Sequence, residues 1–274
     1  MSDSATTDVL LDALESATIY DLAQPLQNGM TSSPSHPSFH MALWRRHGDR
    51  ERADGTSSAS EIIVTGGHVG THVDALSHFS DAGKLHGGID AHSAQETGLF
   101  TSHGAETIPP FVRRGVLLDI ATTEEQDVLA PGTEINSSLL SKAAARRNIT
   151  INPGDVVLIR TGWSTYFADS ERYLGLTEGA PGVTLDGAKW LADAGVVAIG
   201  GDTASVEVIP AGNGHSILPV HRFLLYERGI YLIEVLDLEK LAQDQVTNFL
   251  FILAPLKIIG ATGSPVRPLA VNLP

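Results

Sequence analysis

Three histidines and an aspartate share the short stretch His68-Val69-Gly70-Thr71-His72-Val73-Asp74-Ala75-Leu76-Ser77-His78, and all four occupy even-numbered positions. On an extended backbone, residues an even number of steps apart point to one face, so these groups could converge on a single point. Neutral imidazole and carboxylate are good ligands for Zn²⁺ or Mn²⁺, and a site with an open position can bring the pKa of bound water to about 7 while polarising a carbonyl. That is hydrolytic chemistry. We expect His68, His72 and Asp74 as metal ligands, with the two oxygens of Asp74 able to bridge two ions. His78, one loop further on, is better placed for proton transfer, where an imidazole pKa near about 6.5 is useful.

His68 and His72 are also an i, i+4 pair, the spacing of helical zinc sites. The β-branched Val69, Thr71 and Val73 favour extended backbone, however, and Gly66, Gly67 and Gly70 are poor helix residues. Val69 also stands where an H-E-x-x-H helix needs glutamate. The sequence therefore predicts a bent strand running into a loop.

A second cluster lies downstream, where His221 opens a predicted short helix over Val220 to Glu227 and Glu234 sits inside Ile-Tyr-Leu-Ile-Glu-Val. A carboxylate in such an apolar run is costly to bury without a cation, either a metal or an ion-pair partner such as Arg222 or Lys257. Glu227, beside Arg228, reads as solvated. Asp202 follows an apolar strand, where α/β strands present functional groups, although a turn or capping role fits it equally. His215, within Gly212-Asn213-Gly214-His215, reads as exposed, and His86, His92 and His103 receive no role. No G-x-S-x-G elbow, P-loop or G-x-G-x-x-G fingerprint is present, and no cysteine can act as nucleophile.

The elements that must position these residues read as a single mixed α/β domain over 1–274, because no linker divides the chain. An amphipathic helix is predicted over about residues 8–16, with Val9, Leu10, Leu11 and Leu14 on a helical period. Strands are predicted over Ile19 to Leu22, Phe39 to Arg45 and Glu61 to Thr65, with loops at Thr31 to Ser38 and His47 to Ser60. Residues 79–115 read as a long irregular roof over the site. Strand and helix then alternate: Val116 to Ile120, a helix capped by Asn136 and running through Arg147, Asp155 to Arg160, a helix from Thr184 to Ala194, Val196 to Gly200, Ile230 to Val235 and Phe249 to Leu253.

A hydrophobic fraction of 42% suits a globular core, whereas a formal charge of −14 excludes nucleic acid and anionic lipid as natural partners. With no cysteine, any metal must be held by nitrogen and oxygen. No apolar run is long enough to span a bilayer, and the acidic start Met1-Ser2-Asp3 is unlike a signal peptide, so the cytoplasm is the expected location.

His68-x-Gly70-Thr71-His72-x-Asp74-x-x-x-His78 closely resembles the H-x-G-T-H-x-D-x-P-x-H signature of the cyclase-like metal-dependent hydrolases, which include bacterial kynurenine formamidases and isatin hydrolases. The resemblance continues through Gly201-Asp202-Thr203, Pro219-Val220-His221-Arg222, Ile233-Glu234, Pro255-Leu256-Lys257 and Gly263-Ser264-Pro265-Val266-Arg267. It implies a swivelling β/β/α domain. It also implies metal positions at His68, His72 and Asp74, with His221 and Glu234 completing a second site, and a catalytic role for His78. The implied activity is hydrolysis of a non-peptide C–N bond in a small cyclic or N-acyl (formyl) amide, through attack of metal-bound hydroxide. A lactone hydrolase, an enolate-forming lyase or cyclase, and a binding module without turnover are the rival readings. Homodimers or homotetramers are implied, which would give the N-terminal helix a partner. Two positions depart from the pattern: Leu76 replaces the signature proline, and His36 stands where kynurenine formamidases place a substrate-stacking tryptophan. Trp44 is a candidate replacement for that aromatic wall.

Overall fold

Val156 to Arg160 is buried at every residue, yet its side chains divide between two cores: Val157 and Ile159 pack on one face, Val156 and Leu158 on the other. This is the mark of a central strand covered on both sides. It belongs to a mixed sheet seen in a computed structural model that describes residues 3–212 and 214–274; Met1-Ser2, Asn213 and the side chains of residues 3–7 and Leu10 lie outside the description.

In chain order the strands are β1 (Thr18–Asp21), β2 (His40–Arg45), β3 (Ser60–Val64), β4 (His72–Asp74), β5 (Phe111–Asp119), β6 (Glu134–Ile135), β7 (Val156–Arg160), β8 (Gly182–Val183), β9 (Ala198–Gly201), β10 (Tyr231–Glu234), β11 (Asn248–Leu253), β12 (Gly263–Pro265) and β13 (Leu269–Asn272). Nine of them form one sheet in the order β1-β13-β11-β5-β7-β9-β10-β4-β12. Strands β5, β7, β9 and β10 run parallel, and the flanking pairs are antiparallel. The sheet curls until β1 approaches the far side: Ala23, just after β1, bridges Leu236 beyond β10, and Asp237 N–H donates to Leu22 O at 3.0 Å.

The parallel strands are joined by crossovers carrying helices, as the alternating pattern requires. Asn136 caps Ser137–Arg146 by accepting from Leu139 N–H, and Thr184 caps Leu185–Asp193 by accepting from Gly187 N–H. These helices bury Leu140, Ala143, Ala188 and Leu191 against Val116, Leu118 and Ile199. Inside the curl, Leu117, Ala198, Ile233, Phe249 and Phe251 form the second core with Tyr20 and Leu22. The chain is thus a mixed α/β domain. No helix among the described residues is long and apolar enough to cross a membrane.

The expected helix over Val220 to Glu227 begins as one α-turn, Pro219–His221, and continues as a π-helix over Arg222–Arg228. The N-terminal helix starts earlier than expected and spans Asp3–Glu15. Strands β12 and β13 were not anticipated, because Gly263-Ser264-Pro265 and the two prolines flanking Val266-Arg267 carry no alternating signal.

Candidate metal centre

Only His72 and Asp74 of the first motif lie on one strand. They occupy alternate positions of β4 and share a face, while Val73 between them packs into the inner core. His68 precedes the strand in a turn. Gly70 makes that turn possible with φ +65, and a Cβ there would meet Leu26 Cδ2 at 2.5 Å. His78 follows in a second turn, its N–H donating to Ala75 O at 2.9 Å. The convergence predicted from even spacing is therefore produced by a three-residue strand with a turn at each end.

Strand β10 brings in the acidic group. It pairs antiparallel with β4 so that Glu234 lies directly opposite His72 and Ile233 opposite Val73. His221 arrives from the turn Pro219–His221 and is also buried. The resulting distances are His68 Nδ1 to Asp74 Oδ1, 2.7 Å; His72 Nε2 to Asp74 Oδ1, 3.5 Å; His72 Nε2 to Glu234 Oε2, 3.4 Å; His221 Nε2 to Glu234 Oε1, 3.2 Å; and His221 Nε2 to Asp74 Oδ2, 4.0 Å. Two triads with converging ligand atoms result, His68-Asp74-His78 and His72-Asp74-Glu234, with Asp74 common to both.

The surroundings orient the rings. His72 Nδ1 is bonded to Gly70 O at 2.8 Å and His221 Nδ1 to Glu207 Oε2 at 2.9 Å, so each ring turns Nε2 inward. His68 Nε2 contacts Thr262 Oγ1 at 2.9 Å. Asp74 is 0% exposed, and its Oδ2 has no hydrogen-bond partner. A buried carboxylate oxygen left unmet among three inward-facing imidazoles suits a cation, and a set of nitrogen and oxygen donors suits a first-row divalent ion. The residues present therefore fit a metal.

The electrostatics agree. Burial opposes ionisation of Asp74, yet the nearby His78 and His68 hold it down to about 2. Glu234 is also held well below its ordinary value: burial raises it, but hydrogen bonds from His221 and His72 prevail. His78 behaves otherwise than the sequence suggested, because burial pushes its imidazole down to about 3.

Several side chains sit where the sequence did not place them. Glu234 pairs with neither Arg222 nor Lys257; Arg222 instead bridges Asp81 and Glu227 at 3.1 and 3.0 Å. His215, expected to be exposed, is half-buried and lines the cavity over the cluster with His36. His36 stacks on His68 with ring centroids 4.9 Å apart. Trp44 lies elsewhere, 75% exposed on β2 and outside the cavity lining. Asp202 is a structural anchor: it accepts from Thr161 N–H, Thr161 Oγ1 and Gly162 N–H, and burial raises its carboxyl to about 6. His86 and His103 bond the backbone of Tyr226 and His86, while His92 is exposed. Sequence reasoning missed Glu207, although the argument that singled out Glu234 applies to it: it is an acid inside the apolar run Val206-Glu207-Val208-Ile209.

Comparison with known proteins bears on this arrangement. The isatin hydrolase of Roseibium aggregatum is 27% identical over 222 residues, covering 80% of this chain and 77% of its own. Cyclase-like protein 3 of Arabidopsis thaliana is 25% identical over 226 residues, covering 80% of this chain and 67% of its own. A crystal structure described as a novel cyclase superposes with a TM-score of 0.85 at 26% identity, over 97% of this chain and 90% of that one. The model of the Cyclase family ("Putative cyclase") matches residues 20–208, a span that holds the whole first motif and Glu207, and the chain therefore belongs to the Cyclase family.

Proposed function

We propose that the chain is a metal-dependent hydrolase that opens a small cyclic or N-acyl amide, with Zn²⁺ or Mn²⁺ held by His68, His72, Asp74, His221 and Glu234 as one ion or two. Asp74 carries this reading: it is fully buried, shared by two triads of ligand groups and unpartnered at Oδ2. When bound, such an ion polarises the amide carbonyl and acidifies a water molecule. His72 and His221 would present Nε2 to it, each fixed in that tautomer through Nδ1. His78 moves the proton. With burial keeping its imidazole down at about 3, the ring carries no spare proton at neutral pH, so the proton it passes to a leaving nitrogen is one it takes from the attacking water. The isatin hydrolase relative supports a cyclic amide, and a lactone would make the same demands with an alkoxide leaving.

Metal analysis of the purified protein, followed by an amide and lactone panel with that metal restored, tests this reading. Turnover should vanish on chelation and return with the metal, and turnover in ¹⁸O-labelled water should place label in the product carboxylate. Full activity and metal content in His72→Ala or Asp74→Ala would sink it.

We further propose a homo-oligomer in which the β2–β3 hairpin meets a second copy. The hairpin stands apart from the main sheet, and Met41, Leu43, Trp44, Ile62, Ile63 and Val64 on it are all exposed. A lone two-stranded hairpin with so much apolar surface in water is marginal without a cover.

A further inference from the structure

We propose that Thr71 and Val235 form a strained clamp that fixes the Glu234 carboxylate against His72. Val235 is held in a left-handed backbone conformation that its own side chain disfavours, and the Thr71 hydroxyl keeps it there. This deepens the metal-centre reading and rests on it.

Val235 has φ +59. Six described residues other than glycine have positive φ, and among them Val235 alone is β-branched and alone is buried. Its side chain packs with Trp163, Tyr173 and Ile209 beneath the cavity that it helps to line. Asparagine or aspartate enters this region readily, but for a β-branched residue the conformation costs at least as much as one hydrogen bond contributes. It persists only where the surroundings impose it.

Both neighbouring strands impose it. β10 pairs with β4 through Ile233–Val73 and Glu234–His72, and the ladder stops before the next pair in that register, Val235 with Thr71. In its place the Thr71 side chain takes over: Oγ1 donates to Val235 O at 2.5 Å and accepts from Gln24 N–H at 2.8 Å. On the β9 side, Val235 N–H donates to Thr203 O at 3.1 Å and Leu236 N–H to Gly201 O at 3.0 Å.

Glu234 is the residue immediately before this kink. Its Oε2 lies 3.4 Å from His72 Nε2 and its Oε1 lies 3.2 Å from His221 Nε2. Rotating Val235 back to extended backbone would swing the end of β10 and carry the carboxylate away from both rings. Thr71 is therefore a positioning residue that acts through Val235 on Glu234, in addition to sitting next to His72 in the chain. A glycine at 235 would adopt the kink unaided, whereas valine needs the Thr71 bond.

That difference supplies the test. Kd for Zn²⁺ and for Mn²⁺ is measured by chelator competition on the full chain at about pH 7, and Tm on the metal-free form. The chains compared are wild type, Thr71→Ser, Thr71→Val, Val235→Gly and the double variant of Thr71→Val with Val235→Gly. Thr71→Val should weaken metal binding about tenfold, while Thr71→Ser, which keeps the hydroxyl, should stay within about twofold of wild type. In the Val235→Gly background the same Thr71→Val step should change Kd by no more than about twofold. Metal-free Tm should respond the other way. Thr71→Val should lower it less beside Val235, where release of strain offsets the lost bond, than in the Val235→Gly background. If Val235→Gly does not fold, Val235→Asn takes its place, because asparagine also tolerates the left-handed region.

The clamp is refuted if Thr71→Val keeps wild-type affinity, if Thr71→Ser is as weak as Thr71→Val, or if the Thr71→Val step weakens binding equally in both backgrounds. It is also refuted if metal-free Tm falls at least as far beside Val235 as in the Val235→Gly background. A wild type that binds neither ion would overturn the metal-centre reading, and the Tm comparison would still decide the clamp.

Discussion

Glu207 Oε2 accepts from His221 Nδ1 at 2.9 Å and from His221 N–H at 3.1 Å, while Oε1 accepts from Val220 N–H at 2.9 Å. A single buried carboxylate thus fixes the ring's tautomer, its orientation and the first turn that carries it. Among the described residues, His221 is the one member of the cluster that Glu207 hydrogen-bonds, so it is a positioning residue acting through His221. Replacing it by glutamine keeps the shape and removes the charge that makes Nε2 a strong donor. Glu207→Gln should weaken metal binding about 10- to 100-fold, read by competition with a chelator, at little cost in thermal stability. Unchanged affinity would assign Glu207 to helix capping alone.

The metal-free cluster holds protons where a metal would sit. Burial alone would lower His72, but its hydrogen bond to Glu234 and the charges of Asp74 and Glu234 outweigh it and hold the ring above its ordinary value. His221 is pushed up to about 10, with Glu207 and Glu234 again overcoming burial. A metal must displace these protons, so its affinity should fall as pH is lowered. Calorimetry in buffers of different ionisation enthalpy should also register proton release on uptake. For folding, a histidine raised in the native state gives stability that is complete below the unfolded value of about 6.5 and lost as pH climbs toward the native one. The Tm of the metal-free chain should therefore decline between about pH 7 and pH 10, and more steeply than in the metal-loaded chain. Parallel curves would contradict this account.

The even spacing of the first motif was legible because β4 alternates faces, and Val73 turning inward confirms the period. The sequence could not show how short the strand is, since turns at Gly70 and after Ala75 return His68 and His78 to a point that a continuous strand would pass. Glu234 was legible for an energetic reason, the cost of an unpaired acid among Ile, Tyr and Leu, and its partners proved to be imidazoles. His215 was misread because Gly212 and Gly214 signal a loop but say nothing about what that loop packs against. The outer strands of the sheet escaped because their positions are fixed by pairing with distant partners, such as Gly263 with Asp74, and not by local pattern.

Gly263 tests how closely the site is built. It lies opposite Asp74 on β12, and a Cβ placed there would meet His68 Cε1 at 2.6 Å and Nε2 at 2.9 Å. The ring has no easy retreat, being tied to Asp74 through Nδ1 and to Thr262 through Nε2. Gly263→Ala should therefore displace His68 and reduce metal-dependent turnover by about tenfold or more, as small misplacements at a reacting centre do, while circular dichroism stays native. Wild-type turnover would show that the His68 position is softer than its contacts indicate.

The hairpin offers a test that does not depend on the chemistry. Met41, Leu43 and Trp44 on β2 and Ile62, Ile63 and Val64 on β3 expose between 42% and 75% of their surface, and among the described residues these strands pair only with each other. Asn28 meets the Met41 N–H and O on the β2 edge, but among the described residues no further strand pairs with either outer edge, which lies beside apolar side chains, a combination that natural proteins cover or blunt. A second copy in a two-fold arrangement meets both needs at once, since the same patch serves on each side. Light scattering on wild type should give a multiple of the 29.0 kDa chain mass, and Trp44→Lys combined with Ile63→Lys should shift it to the monomer. Because Trp44 and Ile63 do not line the cavity, the variant's metal content should stay at the wild-type level. A monomeric wild type would remove the hairpin as a contact between copies.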